Sequence, residues 1–204
     1  MIVGMWNKSV ILTYLGLFSA VAGIYFSITG LNLNYAVICL IIAGIADLFD
    51  GSVARKIKRT EEEKSFGVQI DSLVDVISFI ALPITLLTTA GMNKPYHAVL
   101  FALFALCGIA RLGYFNVVTA DTEKAVKYYT GLPVTYCALI FPIIFLTRSY
   151  LPENIFVIII TASVAIVSAL EILKVKVIKP KGAAYAFFGI IAIALIVVYL
   201  GTTE

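Results

Sequence analysis

A polytopic all-α bundle of about seven membrane spans is the fold class this chain predicts, on three observations. Of its 204 residues, 61% are hydrophobic and only 13% are charged, against about 45–50% and about 25% in ordinary soluble domains. Apolar runs of roughly 20 residues, the length that carries a helix across about 30 Å of hydrocarbon, recur along the whole chain. The lysines and arginines, finally, gather on alternate connections between those runs.

The runs place spans at 9–30, 34–56, 67–91, 95–117, 131–149, 153–173 and 182–201, the last being the weakest. Each connection carries polar residues or helix breakers: Asn32 and Asn34, Lys58 to Lys64, Asn93-Lys94-Pro95, Asp121 to Lys127, Pro152-Glu153-Asn154, and Lys174 to Lys181 with Pro180. None is long enough to separate domains, so residues 1–204 are expected to form a single membrane domain. The first apolar stretch, about Val10 to Gly30, begins almost at once and is long enough to span, so no cleavable leader is expected. Cys39, Cys107 and Cys137 all fall inside apolar runs and read as small buried hydrophobes.

Orientation follows from charge. One side collects Lys8, Arg55, Lys56, Lys58, Arg59, Lys64, Arg111, Lys124, Lys127, Lys174, Lys176, Lys179 and Lys181; the other has only Lys94 and Arg148. Thirteen against two puts the N-terminus and the 56–66, 118–130 and 174–181 loops in the cytoplasm of a multi-pass cell-membrane protein. A missed or extra span would scramble this segregation. A net charge of +3 is too small to argue for a nucleic-acid partner.

Five acidic residues lie in or beside apolar helix: Asp47, Asp50, Asp71, Asp75 and Glu171. A charge at membrane depth costs at least about 2.5–3.5 kcal/mol, so such groups need partners and mark function. Glu171 lies near a lysine-rich helix end, and an ion pair with Lys174 is expected. The lone histidine, His97, falls on the external side and is given no role. Asp47 and Asp50 are spaced i,i+3, and Asp71 and Asp75 i,i+4, which puts each pair on one face of its helix. A short connection makes the two helices antiparallel neighbours, so the pairs face each other at similar depth. Four crowded carboxylates repel one another. With no His or Cys beside them, they select hard ions, Mg2+ or Mn2+ with Ca2+ compatible on geometry, and they suffice for two.

Small residues complete the pattern. Gly51 and Ala54 follow Asp47 on the same helical face and leave a groove, Gly67 opens the facing helix one turn before Asp71, and Arg55 places a cation at the mouth that suits a phosphate. The alternative roles are helix–helix packing for the small residues and membrane anchoring for Arg55.

Written out, the stretch is Asp47-Leu-Phe-Asp50-Gly51-Ser-Val-Ala54-Arg55, eleven residues, then Gly67-Val-Gln-Ile-Asp71-Ser-Leu-Val-Asp75. It resembles the motif of the CDP-alcohol phosphotransferase family, D-x2-D-G-x2-A-R followed by G-x3-D-x3-D, at all eight fixed positions. Asp71 to Phe79, Ala110-Arg111-Leu-Gly-Tyr-Phe-Asn116 and Thr130-Gly131-Leu132-Pro133 resemble the phosphatidylserine synthase branch. Tyr114 departs from it where a second arginine is usual, as does Ile80-Ala81-Leu82-Pro83; of an N-terminal Pro-Asn-x-x-Thr segment only Thr13 survives.

The resemblance implies transfer of the phosphatidyl group of a CDP-linked lipid, CDP-diacylglycerol or CDP-archaeol, to the hydroxyl of L-serine with release of CMP. It implies that Asp47, Asp50 and Asp71 hold the ions, and that Asp75 is the general base and also a candidate ligand. Gly51, Ala54, Arg55, Gly67 and Thr13 would accept the CDP-lipid, Arg111 and Asn116 would contact serine, and the enzyme would be a homodimer. A sibling enzyme using glycerol phosphate or inositol phosphate is the nearest alternative. A cation-coupled transporter would call for broken helices near the bilayer midplane and an internal repeat, neither of which is evident in the sequence.

Overall fold

Residues 3–120, 128–178, 180 and 182–202 are described by a computed structural model. Lys124, Lys127, Lys179 and Lys181, which contribute to the charge asymmetry, lie outside the described residues, as do Asp121, Glu123 and Glu204. Helix α1 covers Lys8–Thr29, α2 Leu33–Ala54 and α3 Glu61–Thr89. Helix α4 covers Pro95–Ala120 and strand β1 Tyr128–Thr130. Helix α5 covers Val134–Ser149, α6 Glu153–Ile172, strand β2 Lys176–Ile178 and α7 Ala183–Gly201. Among the described residues, six of the helices are long and apolar enough to cross a membrane, and α5 is a shorter one.

Local chemistry sets the ends. Gly30 closes α1 in the left-handed conformation (φ 66°), where a side chain would be strained. Asn32 then starts α2 by accepting from the Asn34 N–H. Thr60 and Glu63 form a reciprocal capping box, each side chain bonding the other residue's backbone N–H, a device that satisfies two orphan donors. This cap starts α3 at Glu61 rather than at 67. The charged stretch from Glu61 to Lys64, expected as loop, is therefore the first helical turn, with Lys64 paired to Glu61 at 2.6 Å.

Small residues let the helices approach. On α1, the bare faces of Gly16 and Gly23 meet Ala46 and Cys39 of α2, and Ser19 donates to the Cys39 carbonyl at 2.9 Å. Gly44 of α2 lies so close to α5 that a Cβ there would stand 2.5 Å from that of Ala138. Around these contacts a continuous core gathers Leu40, Phe79, Leu82, Leu86, Phe104, Phe141, Phe156 and Ile160. The Tyr199 hydroxyl of α7 donates to the Pro142 carbonyl of α5 and ties α7 to the bundle.

Two features differ from the expectation of uninterrupted helices. The third span widens into a π-helical segment at Ile77–Ala81, a geometry frequent near functional sites. Strands β1 and β2 pair antiparallel, with Tyr129 opposite Val177. This ladder settles how α5 runs. The chain leaves from β1 and returns at β2 on the same side, and the 20 residues of α6 cover about 30 Å on the way back. Helix α5 must cover a similar depth outward. Its 3-10 ends, at about 2 Å per residue, help it do so. Of the seven expected spans, six among the described residues are long and apolar enough to cross by themselves: 134–149 falls short of that length, whereas 183–201 meets it.

His97 is buried at the start of α4, where its Nδ1 accepts from the Lys94 N–H at 3.2 Å. Its part here is to close a turn.

Beyond β1, Gly131 takes φ +78°, and a Cβ on it would lie 2.3 Å from the Glu171 carbonyl oxygen. Replacing Gly131 by Ala combines a left-handed backbone cost of about 1–2 kcal/mol with an overpacking cost of about 1–3 kcal/mol. Thermal unfolding of the detergent-solubilised variant is expected at a clearly lower midpoint than wild type.

Candidate active site

Helices α2 and α3 meet near the Arg55–Thr60 connection, and their four aspartates converge there. Oxygens of Asp47, Asp71 and Asp75 all lie within 4.8 Å of one another. Asp50 joins them through a hydrogen bond with Asp71 and accepts from the Thr13 hydroxyl of α1 at 3.0 Å. Asp47 is hydrogen-bonded to Asp75 and to the side chain of Thr135. Facing pairs were expected from the spacing, and facing pairs are what the fold delivers.

Whether these residues suit divalent ions can be judged from their surroundings. All four aspartates, with Thr13 and Ser78, wall a small space of about 10 Å³, which is about what a single water-sized sphere needs. The Ser78 hydroxyl, 1% exposed, makes no hydrogen bond among the described residues. No Lys or Arg forms an ion pair with the acids; the one salt bridge among the described residues is Lys64–Glu61. A compact, oxygen-only, anion-rich site with an orphaned hydroxyl fits hard cations.

The acids open on their other side into a cleft of about 320 Å³. Its polar wall includes Asp47, Asp50, Asp71 and Asp75, together with Gly51 and Arg55 of the α2 end and Arg111 and Asn116 of α4. Its apolar part is built from Ile41, Ile45, Leu139, Phe188 and Ala192. Arg55 is exposed and donates to the Ser52 hydroxyl at 3.1 Å. The Asn116 amide donates to the Ser72 hydroxyl at 2.7 Å. Ala54 and Gly67, expected to accept the lipid nucleotide, are not among the cleft residues; the bare face of Gly67 meets the Arg59 guanidinium at 3.6 Å. Thr13 supports Asp50 from behind.

Arg111 is 7% exposed, and its guanidinium lies 5.0 Å from the Phe115 ring centre and 5.8 Å from that of Tyr129. Burial pushes the Tyr129 hydroxyl up to about 12, so it remains neutral at physiological pH.

Sequence reasoning missed Thr135, Ser72, Tyr129 and Tyr185. A hydroxyl just past the Gly-Leu-Pro turn and another just after Asp71 were the available signals. The two tyrosines gave none, because β1 and the start of α7 reach the cleft only through tertiary packing. The expected pairing of Glu171 with Lys174 does not form: Glu171 is buried, whereas Lys174 is exposed beyond the end of α6. Helix α6 ends at Ile172, so the chain has left helical geometry before position 174 and carries the lysine away.

A multi-pass helical bundle with two facing aspartate pairs at a helix–helix connection defines a membrane-embedded transferase class that depends on divalent metal. The chain belongs to the CDP-alcohol phosphatidyltransferase family, whose model matches residues 6–170. Among characterised proteins it is similar to the archaetidylserine synthase of Methanothermobacter thermautotrophicus, 38% identical over 162 residues, covering 79% of this chain and 67% of that one. It is also similar to the CDP-diacylglycerol–serine O-phosphatidyltransferase of Saccharomyces cerevisiae, at 31% identity covering 65% of this chain and 50% of that one. The enzyme of that name from Methanocaldococcus jannaschii is 35% identical, covering 57% and 53%. This chain thus spans two thirds of the first relative and about half of the other two.

If the carboxylates repel one another until a cation enters, Mn2+ should raise the thermal midpoint of wild type. Asp71→Asn and Asp75→Asn should each raise the midpoint without metal, by relieving repulsion, and lose most of the Mn2+ increment. A variant that kept the full increment would show that the ion binds elsewhere.

Proposed function

We propose that the protein transfers the phosphatidyl or archaetidyl group of a CDP-linked lipid to the hydroxyl of L-serine, releasing CMP. One observation carries this reading: the complete eight-position motif folds into a single carboxylate cluster that shares its cleft with a buried arginine. The names of the relatives, two of them archaeal, point to serine as acceptor.

Asp47, Asp50 and Asp71, with Asp75 as a further ligand, would hold two Mg2+ or Mn2+ ions. When bound, the ions neutralise the diphosphate and favour departure of CMP. Gly51 leaves room for the nucleotide beside α2, and Arg55 supplies a phosphate-seeking cation at the mouth. Arg111, held against the Phe115 and Tyr129 rings, receives the serine carboxylate, with Asn116 as a second polar contact. Asp75 takes the proton from the serine hydroxyl as its oxygen forms a bond to phosphorus and the bond to CMP breaks. Thr135 fixes Asp47 so that the cluster keeps its shape. The lipid chains leave along the apolar side of the cleft towards α7.

The site faces the cytoplasm, from which the CDP-lipid and serine arrive, and the protein works as a homodimer of one membrane domain per chain. Acceptors that carry a phosphate, such as glycerol phosphate, fit less well: Arg55 and Arg111 are the only cations among the described cleft residues, and Arg55 is at the nucleotide end.

The test is CMP release from CDP-diacylglycerol and CDP-archaeol with Mn2+, comparing serine with glycerol 3-phosphate and inositol phosphate. Serine-dependent release is expected, and its absence would sink the acceptor assignment. Asp71→Asn should abolish turnover with every acceptor. Asp75→Asn should lower kcat by about 10²–10⁴, the usual worth of a positioned base.

A further inference from the structure

Glu171 is the most expensive group in the bundle that the proposed chemistry does not use. It sits in the last turn of α6, 2% exposed, and neither carboxylate oxygen has a hydrogen-bond partner among the described residues. An unpaired charge buried this deeply would cost several kcal/mol, so something must face it.

The cation that acts on it is Arg111. That arginine is also acted on by Asp75, Tyr129 and Asp47, so it is shared between the aspartate cluster and Glu171. The Arg111 Nε is likewise buried without a hydrogen-bond partner among the described residues. Guanidinium and carboxylate are both buried and form no salt bridge with each other, and burial leaves the attraction between them less screened than it would be in water. The thiols of Cys107 and Cys137 are the other titratable groups that feel Glu171. They carry no positive charge.

The backbone around Glu171 is anchored to the cleft as well. The Leu132 N–H donates to the Leu170 carbonyl at 2.9 Å, the Gly131 N–H donates to the Val175 carbonyl at 2.9 Å, and Gly131 packs on the Glu171 carbonyl. The turn so held lies between Tyr129, which flanks Arg111, and Thr135, which holds Asp47.

We propose that Glu171 is a positioning residue for acceptor binding: its charge holds the Arg111 guanidinium in the cleft wall, against the Phe115 and Tyr129 rings, ready for an acceptor's anionic group. The aspartates cannot serve this purpose in the working enzyme, because divalent ions neutralise them. Glu171, which is not among the cleft residues, then remains as the counter-charge of Arg111. This inference rests on the reading of Arg111 as the acceptor contact.

The test is a double-mutant cycle on purified, Mn2+-loaded protein with saturating CDP-lipid and varied serine. Glu171→Gln keeps the shape and removes the charge. It is expected to raise the KM for serine about tenfold while kcat and the KM for CDP-lipid stay within about threefold. Glu171→Asp should recover most of the loss. Arg111→Gln should raise the serine KM at least as much, and adding Glu171→Gln to it should change nothing further. The rise in thermal midpoint that serine causes should shrink in parallel, a readout that needs no turnover and serves any variant too slow to assay.

An unchanged serine KM in Glu171→Gln would overturn the inference, as would an equal rise in the KM for CDP-lipid or additive effects in the double variant. Should Glu171→Gln fail to fold, Glu171→Asp decides alone: a serine KM beyond that of Arg111→Gln would count against it. If wild type neither turns over nor is stabilised by serine, the acceptor reading fails by itself. The same cycle with glycerol 3-phosphate, whose phosphate also needs a cation, then decides the role of Glu171.

Discussion

Crowding of negative charge inside an apolar bundle is the constraint on which the rest of this structure depends. Three carboxylates with oxygens within 4.8 Å of one another, and a fourth hydrogen-bonded to one of them, Asp71, repel strongly where the dielectric is low. Such a cluster persists only if the scaffold holds it and a cation or shared protons offset it. Much of the fold supplies the first condition. The close approach of α1 and α2 at Gly16 and Gly23 brings Thr13 to Asp50. The capping box at Thr60 starts α3 so that Asp71 and Asp75 fall opposite Asp47 and Asp50. The Gly131 turn delivers Thr135 to Asp47.

The second half of the chain is organised around one positive charge. Arg111 on α4 is buried against the Phe115 and Tyr129 rings, and both the aspartates and Glu171 act on its charge. Its position depends on four separate stretches, α4, β1, α6 and the turn at Gly131, tied by the β1–β2 ladder. The cleft thus has an anionic wall that suits cations and a cationic wall that suits an anion. It therefore suits a reaction between a diphosphate held by metal and an acceptor held by its own negative group. The apolar extension towards Phe188 and Ala192 lets a lipid take part without leaving the bilayer.

The π-helical segment at Ile77–Ala81 belongs to the same design. It begins two residues after Asp75 and carries Ser78, whose hydroxyl faces the small space among the aspartates. A wider turn there offsets the side chains that follow Asp75 from the register a regular helix would impose. Phe79 and Ile80 then reach the core while Ser78 stays with the acids.

By itself, the sequence determined the membrane class, the positions of six of the seven expected spans, with the start of the third six residues late, the facing aspartate pairs and the family. All of these follow from local quantities: hydrophobic run length, the helical period and the order of a short motif. Tertiary structure alone decided the partners of Glu171, the β1–β2 ladder, the roles of Thr135 and Tyr129, and which span is short. Those depend on contacts between residues far apart in the chain. Lys174 is three residues from Glu171, and the helix ends between them; Arg111 is 60 positions away, and α4 and α6 pack it on the same side of the bundle. Sequence proximity favoured the lysine, whereas the helix end carries it away and packing sets α4, with the buried Arg111, against α6.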